Sequence, residues 1–364
     1  MMHFLLVLSI AGIITSTMYA LLVVVGSLRL AQRRKASDAG GFTPPVSLLK
    51  PLHGWEPDLE LHLESFFQQN YPEFEIIFCA RNDQDPGLEI ARRVAARYPG
   101  IRSTFLLSGP VPYANAKVWS LERMQSAAAH RFFVVSDSDV SVTPDYLNAV
   151  MAPFADPEVG LVTCLYRGVG TNLWSRLEAV GMSIEMSGGV LVADLIEGMK
   201  FALGPTMVVR RESLEAAGGF RALGPYHADD FILGNLIAAH GHRVVLSTHV
   251  IDHHVLNTSF LASVLHQIRW MKSTRFSRPK GHLGTALTFS MPYGLLGAAV
   301  AVAFHHPMLG ALVLLWSWAS RVGLGALVGG LVVNEPRLVR SALLYPVRDL
   351  LGFSYWVASY LSNQ

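Results

Sequence analysis

The chain has 364 residues, 51% hydrophobic and 15% charged, with a formal net charge of +2. Soluble domains carry about 25% charged residues, so this composition fits a membrane protein with one sizeable soluble region. The small net charge argues against nucleic-acid binding. The two cysteines, Cys79 and Cys164, with no CxxC, argue against a disulfide framework or a cysteine zinc site.

Residues 4–28 hold no charge and are long enough to span a bilayer as a helix, so 1–30 is read as a transmembrane anchor. A cleaved signal peptide would need a basic start and a short apolar core, whereas here Arg29, Arg33, Arg34 and Lys35 follow the apolar run. The positive-inside rule then places the N-terminus outside and the next region in the cytoplasm. A Ser/Gly-containing linker leads to Pro44-Pro45, and 44–275 is expected to form the soluble domain.

In that region Val46–Leu49, Phe74–Ala80, 102–107 and Phe132–Val135 read as apolar strands. Helices are predicted over 57–69, 86–98 and 116–129. Strands alternating with helices predict an α/β fold with a mainly parallel sheet, in which ligands bind beyond the carboxyl ends of the strands. Further on, Val159–Leu165, Thr206–Arg210 and Arg243–Ser247 read as strands, 229–240 as a helix and 258–272 as an amphipathic helix. Apolar stretches near 284–304, 308–333 and 339–361 predict about three C-terminal transmembrane helices over 283–362. They contain Arg321, Arg348 and Asp349. Intramembrane charges pair or line polar cavities, and the sequential Arg348 and Asp349 point in different directions on a helix, so partners are expected on neighbouring helices.

Four polar clusters fall in order between the hydrophobic ends: Asn82-Asp83-Gln84-Asp85, Asp137-Ser138-Asp139, Asp229-Asp230 and Gln267-Ile268-Arg269-Trp270. This order points to a nucleotide-sugar transferase facing the bilayer. Asp137 and Asp139 have the spacing and oxygen chemistry for Mg²⁺ or Mn²⁺ beside a diphosphate; the alternative is an Asp-rich turn before Thr143-Pro144. One of Asp83 and Asp85 could accept hydrogen bonds from uracil or ribose, or the pair forms an Asx-turn before Pro86. One of Asp229 and Asp230 could serve as a general base, or the pair answers the dipole of a helix start. Arg269 suits a phosphate and Trp270 an apolar acceptor wall, set against a juxtamembrane aromatic-basic belt. No HExxH, GxSxG or GxxxxGK[ST] occurs, and His253-His254 reads as a surface pair.

These clusters, with Ser47-Leu48-Leu49-Lys50-Pro51-Leu52-His53-Gly54, Asn115, Lys117 and Ala228-Asp229-Asp230, resemble the ceramide glucosyltransferase family, inverting membrane enzymes of the GT-A fold. The resemblance covers most of the chain. It implies that Asp85 contacts uridine, Asp137 and Asp139 hold the metal and diphosphate, and Asp230 is the base. Gln267, Arg269 and Trp270 would complete the donor-diphosphate and acceptor sites, with Asp83, Lys50, Asn115 and Lys117 in the donor pocket and Asp229 on the acceptor side. Relatives often carry Glu at the position of Asp229, and the carboxylate is kept. The segment 166–200 departs most and is expected to shape the acceptor pocket. A hopanoid N-acetylglucosaminyl or glycosyl transferase branch shares these motifs, with a counterpart of Leu161–Gly168.

The expected activity is transfer of glucose, or another hexose, from a UDP-sugar to a lipid hydroxyl, ceramide foremost, with inversion. The hopanoid enzyme is the alternative, and a processive polysaccharide synthase the second. The expected partners are the UDP-sugar, the acceptor lipid and the bilayer, with no nucleic acid and no obligate protein. The expected location is the cytoplasmic face of a bacterial inner membrane.

Overall fold

The structure, a computed structural model, describes residues 1–36 and 41–361; part of the expected linker, 37–40, and residue 362 of the last expected helical region lie outside them. The described residues separate into two compact units.

The unit comprising 36–166 and 197–256 is built on a sheet of β1 (Val46–Pro51), β2 (Phe74–Ala80), β3 (Arg102–Leu107), β4 (Phe132–Ser136), β5 (Val140–Ser141), β6 (Val159–Val169), β7 (Thr206–Arg210) and β8 (Arg243–His254). The spatial order is β3-β2-β1-β4-β7-β6-β8-β5. β3, β2, β1 and β4 are mutually parallel. Val46, Leu48, Leu49, Ile76, Ile77 and the Phe132–Val135 run are buried, as strands covered on both faces require. The helices Leu59–Phe67, Pro86–Ala95 and Ala116–Ala127 are the crossovers. Asp85 starts the second of these by accepting from Gly87 N, with proline in the first turn. Asn115 starts the third by accepting from Val118 N.

Beyond β4 the sheet is antiparallel: β7 runs against β4 and β6, and β5 against β8. The sheet is therefore mixed, parallel only over its first four strands. β4 lies between β1 and β7, whereas β5 pairs with β8 at the far end of the strand order; the two are joined through Asp137–Asp139 alone, and that short connection carries the acidic motif.

The second unit, 1–35, 167–196 and 257–364, is helical. Three of its helices are long and apolar enough to cross a membrane: Met2–Ala36, Leu173–Glu197 and Pro307–Val332. The pair Pro279–Thr288 and Met291–Ala303 passes the same test as one broken span, bent by 47°. Leu338–Leu361 is a further 24-residue helix with Pro346 inside it. Leu173–Glu197 is interrupted by a π-turn at Gly181–Met186. In its most apolar window 61% is buried, against 22% for Met2–Ala36, so it is an inner helix of this unit.

The charges Arg321, Arg348 and Asp349 find their partners on other helices. Arg321 Nη1 lies 3.4 Å from Asp349 Oδ1, and both residues are buried. Asp349 Oδ2 also accepts from Ser290 N at 2.9 Å and Met291 N at 2.8 Å, so it caps the second half of the broken span at its positive end. Arg321 donates to Thr288 O and Ser16 O at 3.1 and 3.3 Å. Arg348 instead turns to Gln267 Oε1 at 2.8 Å and to Glu185 Oε2 at 3.4 Å. A Cβ at Gly181 would overlap the Arg348 guanidinium, so this glycine makes room for the charge.

Candidate active site

At the carboxyl ends of β1, β2 and β4 the sequence delivers Lys50, the Asp83–Asp85 turn and Asp137–Asp139 to one edge of the sheet. The helix Asp229–Ala239 brings its first two residues to the same unit. Lys117 ties two of these groups together: its Nζ lies 2.5 Å from Asp137 Oδ1, 4.0 Å from Asp229 Oδ2 and 3.5 Å from Gly204 O. Burial works against its charge, but Asp137 and Asp229 outweigh this and raise the ammonium pKa. Asn115 Nδ2 donates to Tyr226 O at 2.9 Å and to Asp229 Oδ1 at 3.3 Å.

Asp230 is held at both oxygens. Gly204 N donates to Oδ2 and Phe231 N to Oδ1, each at 2.7 Å. A carboxylate oxygen has two lone pairs, so each retains one for another donor. Burial, and then the neighbouring Asp229 carboxylate, push the Asp230 pKa up to about 6. That value suits a group that takes a proton near neutral pH.

Asp139 Oδ2 lies 3.0 Å from His253 Nε2. Burial opposes ionisation here, but the His253 contact dominates and holds the carboxyl below its ordinary range. Its other oxygen, Oδ1, is buried with no hydrogen-bond partner, as is Oδ2 of Asp229. A buried carboxylate oxygen without a donor is costly and matches a cation's need for hard oxygen ligands. Among the described residues no three His, Cys, Asp or Glu side chains stand in a metal-holding group. The residues therefore fit a cation held by Asp137 and Asp139 and completed by non-protein oxygens.

Lys50 is fully buried, with Nζ 2.6 Å from Asp137 O and 3.8 Å over the Phe66 ring; burial pushes its pKa down to about 7. Asp85 accepts from Gly87 N at 2.8 Å through Oδ1 and from Gly54 N at 2.9 Å through Oδ2. This joins the end of the Lys50–Gly54 motif to the Asp83–Asp85 turn, and Gly54 sits at φ 76 to permit it. Asp83 is exposed and pairs with Arg92 at 2.6 Å. Gln267, Arg269 and Trp270 lie in the helical unit, on helix Phe260–Ser277, which Ser259 caps. Gln267 is buried, Arg269 is exposed and the Trp270 ring lies 4.9 Å from that of His266.

The structure also brings in residues outside the sequence-based set. His253 is buried on Asp139, not a surface residue. Its neighbour His254 stacks on His62 at 3.9 Å. The signal was available: β8 continues to His254, and Ile251 and His253 share the buried face by strand alternation. Gly204 was not visible as a donor to Asp230, because a glycine before Pro205 reads as a turn. Glu56, which accepts from Ser138 Oγ at 2.9 Å, carried no motif.

A mixed sheet with acids at its strand ends, joined to membrane-type helices, defines a GT-A glycosyltransferase fold. The solved mannosyltransferase PcManGT of Pyrobaculum calidifontis, in complex with GDP-Man and Mn²⁺, superposes with a TM-score of 0.57 at 18% identity, over 98% of this chain and 100% of that one. Residues 6–364 match the glycosyl transferase family 21 profile, and the chain belongs to that family. It is 25% identical to ceramide glucosyltransferase 1 of Caenorhabditis elegans, over 63% of this chain and 49% of that protein. With the ceramide glucosyltransferase of Komagataella phaffii it shares 32% identity, over 37% of this chain and 28% of that protein. The chain thus spans about half or less of the length of these curated relatives.

Proposed function

We propose that this protein transfers a hexose, glucose foremost, from a UDP-sugar to a lipid hydroxyl, ceramide foremost, with inversion at the anomeric carbon. The observation that carries the reading is the Asp230 carboxylate, held by two backbone N–H groups, with its pKa raised to about 6 in a chain of family 21. Asp230 accepts the proton of the lipid hydroxyl, whose oxygen forms the new bond to the anomeric carbon as the bond to UDP breaks. Lys117 stays protonated beside Asp137 and offers positive charge near the departing diphosphate. Asp137 and Asp139 are the residues to hold a Mg²⁺ or Mn²⁺ ion. When bound, that ion supplies Lewis-acid stabilisation of the diphosphate.

Asp83, Asp85, Lys50 and Asn115 belong to the donor pocket, with Arg269 on the diphosphate. Asp229, Gln267 and Trp270 serve the acceptor. The region 44–275 works at the cytoplasmic face of a bacterial inner membrane, between the anchor 1–30 and the helices of 283–362. No protein partner is required. The test is Asp230→Asn in the purified full chain: donor binding persists while sugar transfer to lipid is lost. Full transfer by a folded Asp230→Asn variant would remove Asp230 as the base. A product that keeps the donor's anomeric configuration would overturn inversion.

A further inference from the structure

The Leu161–Gly168 motif runs along β6 of the sheet unit, and its Thr163 is fully buried. Thr163 Oγ1 accepts from Leu203 N at 2.9 Å and lies 2.9 Å from Thr206 O and 3.3 Å from Leu203 O. A hydroxyl has one proton to give, and the nearer acceptor is Thr206 O. One side chain therefore holds both ends of the turn Leu203–Thr206, which Thr206 N closes on Leu203 O at 3.2 Å. Gly204 sits inside that turn. Its N–H is the donor to Asp230 Oδ2 at 2.7 Å, and its carbonyl oxygen lies 3.5 Å from Lys117 Nζ. The same segment is pressed onto the helix Asp229–Ala239 from the other side. A Cβ at Gly234 would fall 2.4 Å from Phe201 Cα and 2.6 Å from Ala202 N, and the Phe201 ring stacks on that of Phe231 at 6.0 Å.

We infer that Thr163 is a positioning residue for the transfer reaction: its hydroxyl clamps the Leu203–Thr206 turn and thereby aims the Gly204 N–H at the Asp230 carboxylate. Gly234 completes the clamp by letting the segment lie close against the helix of the base. The inference rests on the reading of Asp230 as the base and adds two residues that touch no substrate. The titratable groups around Asp230 are Asp229 on its own helix, Lys117 on Ala116–Ala127 and Tyr166 on β6, and the substitutions below alter none of them.

The test compares pH–rate profiles of the purified full chain, with UDP-glucose and ceramide saturating, for the wild type, Thr163→Val and Thr163→Ser. Valine keeps the shape and loses the hydroxyl. It is expected to lower kcat about tenfold, since a displaced reacting group is costly, with the KM for the donor unchanged. The Gly204 N–H holds the Asp230 pKa down, so its withdrawal raises that pKa and the rate begins to fall at a higher pH than in the wild type. Serine keeps the hydroxyl and recovers both the rate and the profile. Gly234→Ala reaches the same turn without touching Thr163 and should displace the acid limb in the same direction. A lower rate with an unmoved limb in folded Thr163→Val and Gly234→Ala would reduce both residues to supports of the fold and overturn the inference, leaving the base reading intact. Failure of serine to restore the profile would overturn the role of the hydroxyl. Full transfer by folded Asp230→Asn would overturn the base reading itself, and the inference with it.

Discussion

The two units each bury a cluster of charges, and the clusters are answered differently. In the sheet unit, Asp137, Asp139, Asp229 and Asp230 face Lys117, Lys50 and His253, and among the acids Asp139 Oδ1 and Asp229 Oδ2 have no hydrogen-bond partner. In the helical unit, Arg321 meets Asp349 and Arg348 meets Glu185 one to one, and the atoms without a hydrogen-bond partner are of both kinds, nitrogens of Arg348 and Gln267 and Oε2 of Glu185. Surplus acceptors call for a cation or a hydroxyl proton. Buried polar groups are ordinarily paired, so the unpartnered carboxylate oxygens indicate the chemistry that the sheet unit awaits, whereas the helical cluster is closed by its two ion pairs.

Removing the base breaks the comparison most sharply. Asp230→Asn is expected to lower sugar transfer about a thousandfold, within the range of general-base contributions, and to keep a cooperative unfolding transition at a somewhat lower temperature, because the amide nitrogen cannot accept from one of the two backbone N–H groups. Steady-state rates and thermal unfolding of the same preparation check it. In the helical unit the matching change is one of stability. Asp349→Ala strands Arg321 and uncaps Met291–Ala303, and is expected to cost about 3–5 kcal/mol, as for a broken buried pair. Asp349→Leu combined with Arg321→Met should recover much of that loss, read by chemical denaturation in detergent.

A pH profile sharpens the sheet side. The raised pKa of Asp230 means that the base form is lost as pH falls through about 6. Transfer rate should therefore fall about tenfold per pH unit below that value and level off above it; a flat profile from pH 5 to 8 would count against the assigned base. The smallest expected effect is Gly204→Ala. Its Cβ would sit 3.1 Å from Asp230 Oδ2, so the carboxylate must shift by a few tenths of an ångström. The rate should drop several-fold, since small displacements of a reacting group are costly, while stability barely changes.

The parallel half of the sheet was readable because its strands carry runs of consecutive apolar residues, as in Ile76–Ala80 and Phe132–Val135, and its helices open on Pro86 and Asn115. In the antiparallel half β6, β7 and the start of β8 were readable as strands, but Val140–Ser141 is too short to show a period and nothing local gives the direction of a returning strand. The acids of the site were legible as motifs, but their arrangement was not: the Lys117–Asp137 and His253–Asp139 contacts join residues 20 and 114 positions apart. Segment 166–200 was the least recognisable, and it forms the inner helix with the π-turn. Its burial depends on neighbours that a one-dimensional pattern does not contain. The charges Arg321, Arg348 and Asp349 announced partners on other helices without naming them.

The most direct test of the central claim offers the purified full chain a panel of UDP-sugars, with ceramide and a hopanoid polyol supplied separately, and weighs the products, with Asp230→Asn as control. The account predicts one hexose added to ceramide by the wild type and none by the variant. Polymer formed without added lipid, or sugar found only on the hopanoid, would contradict it.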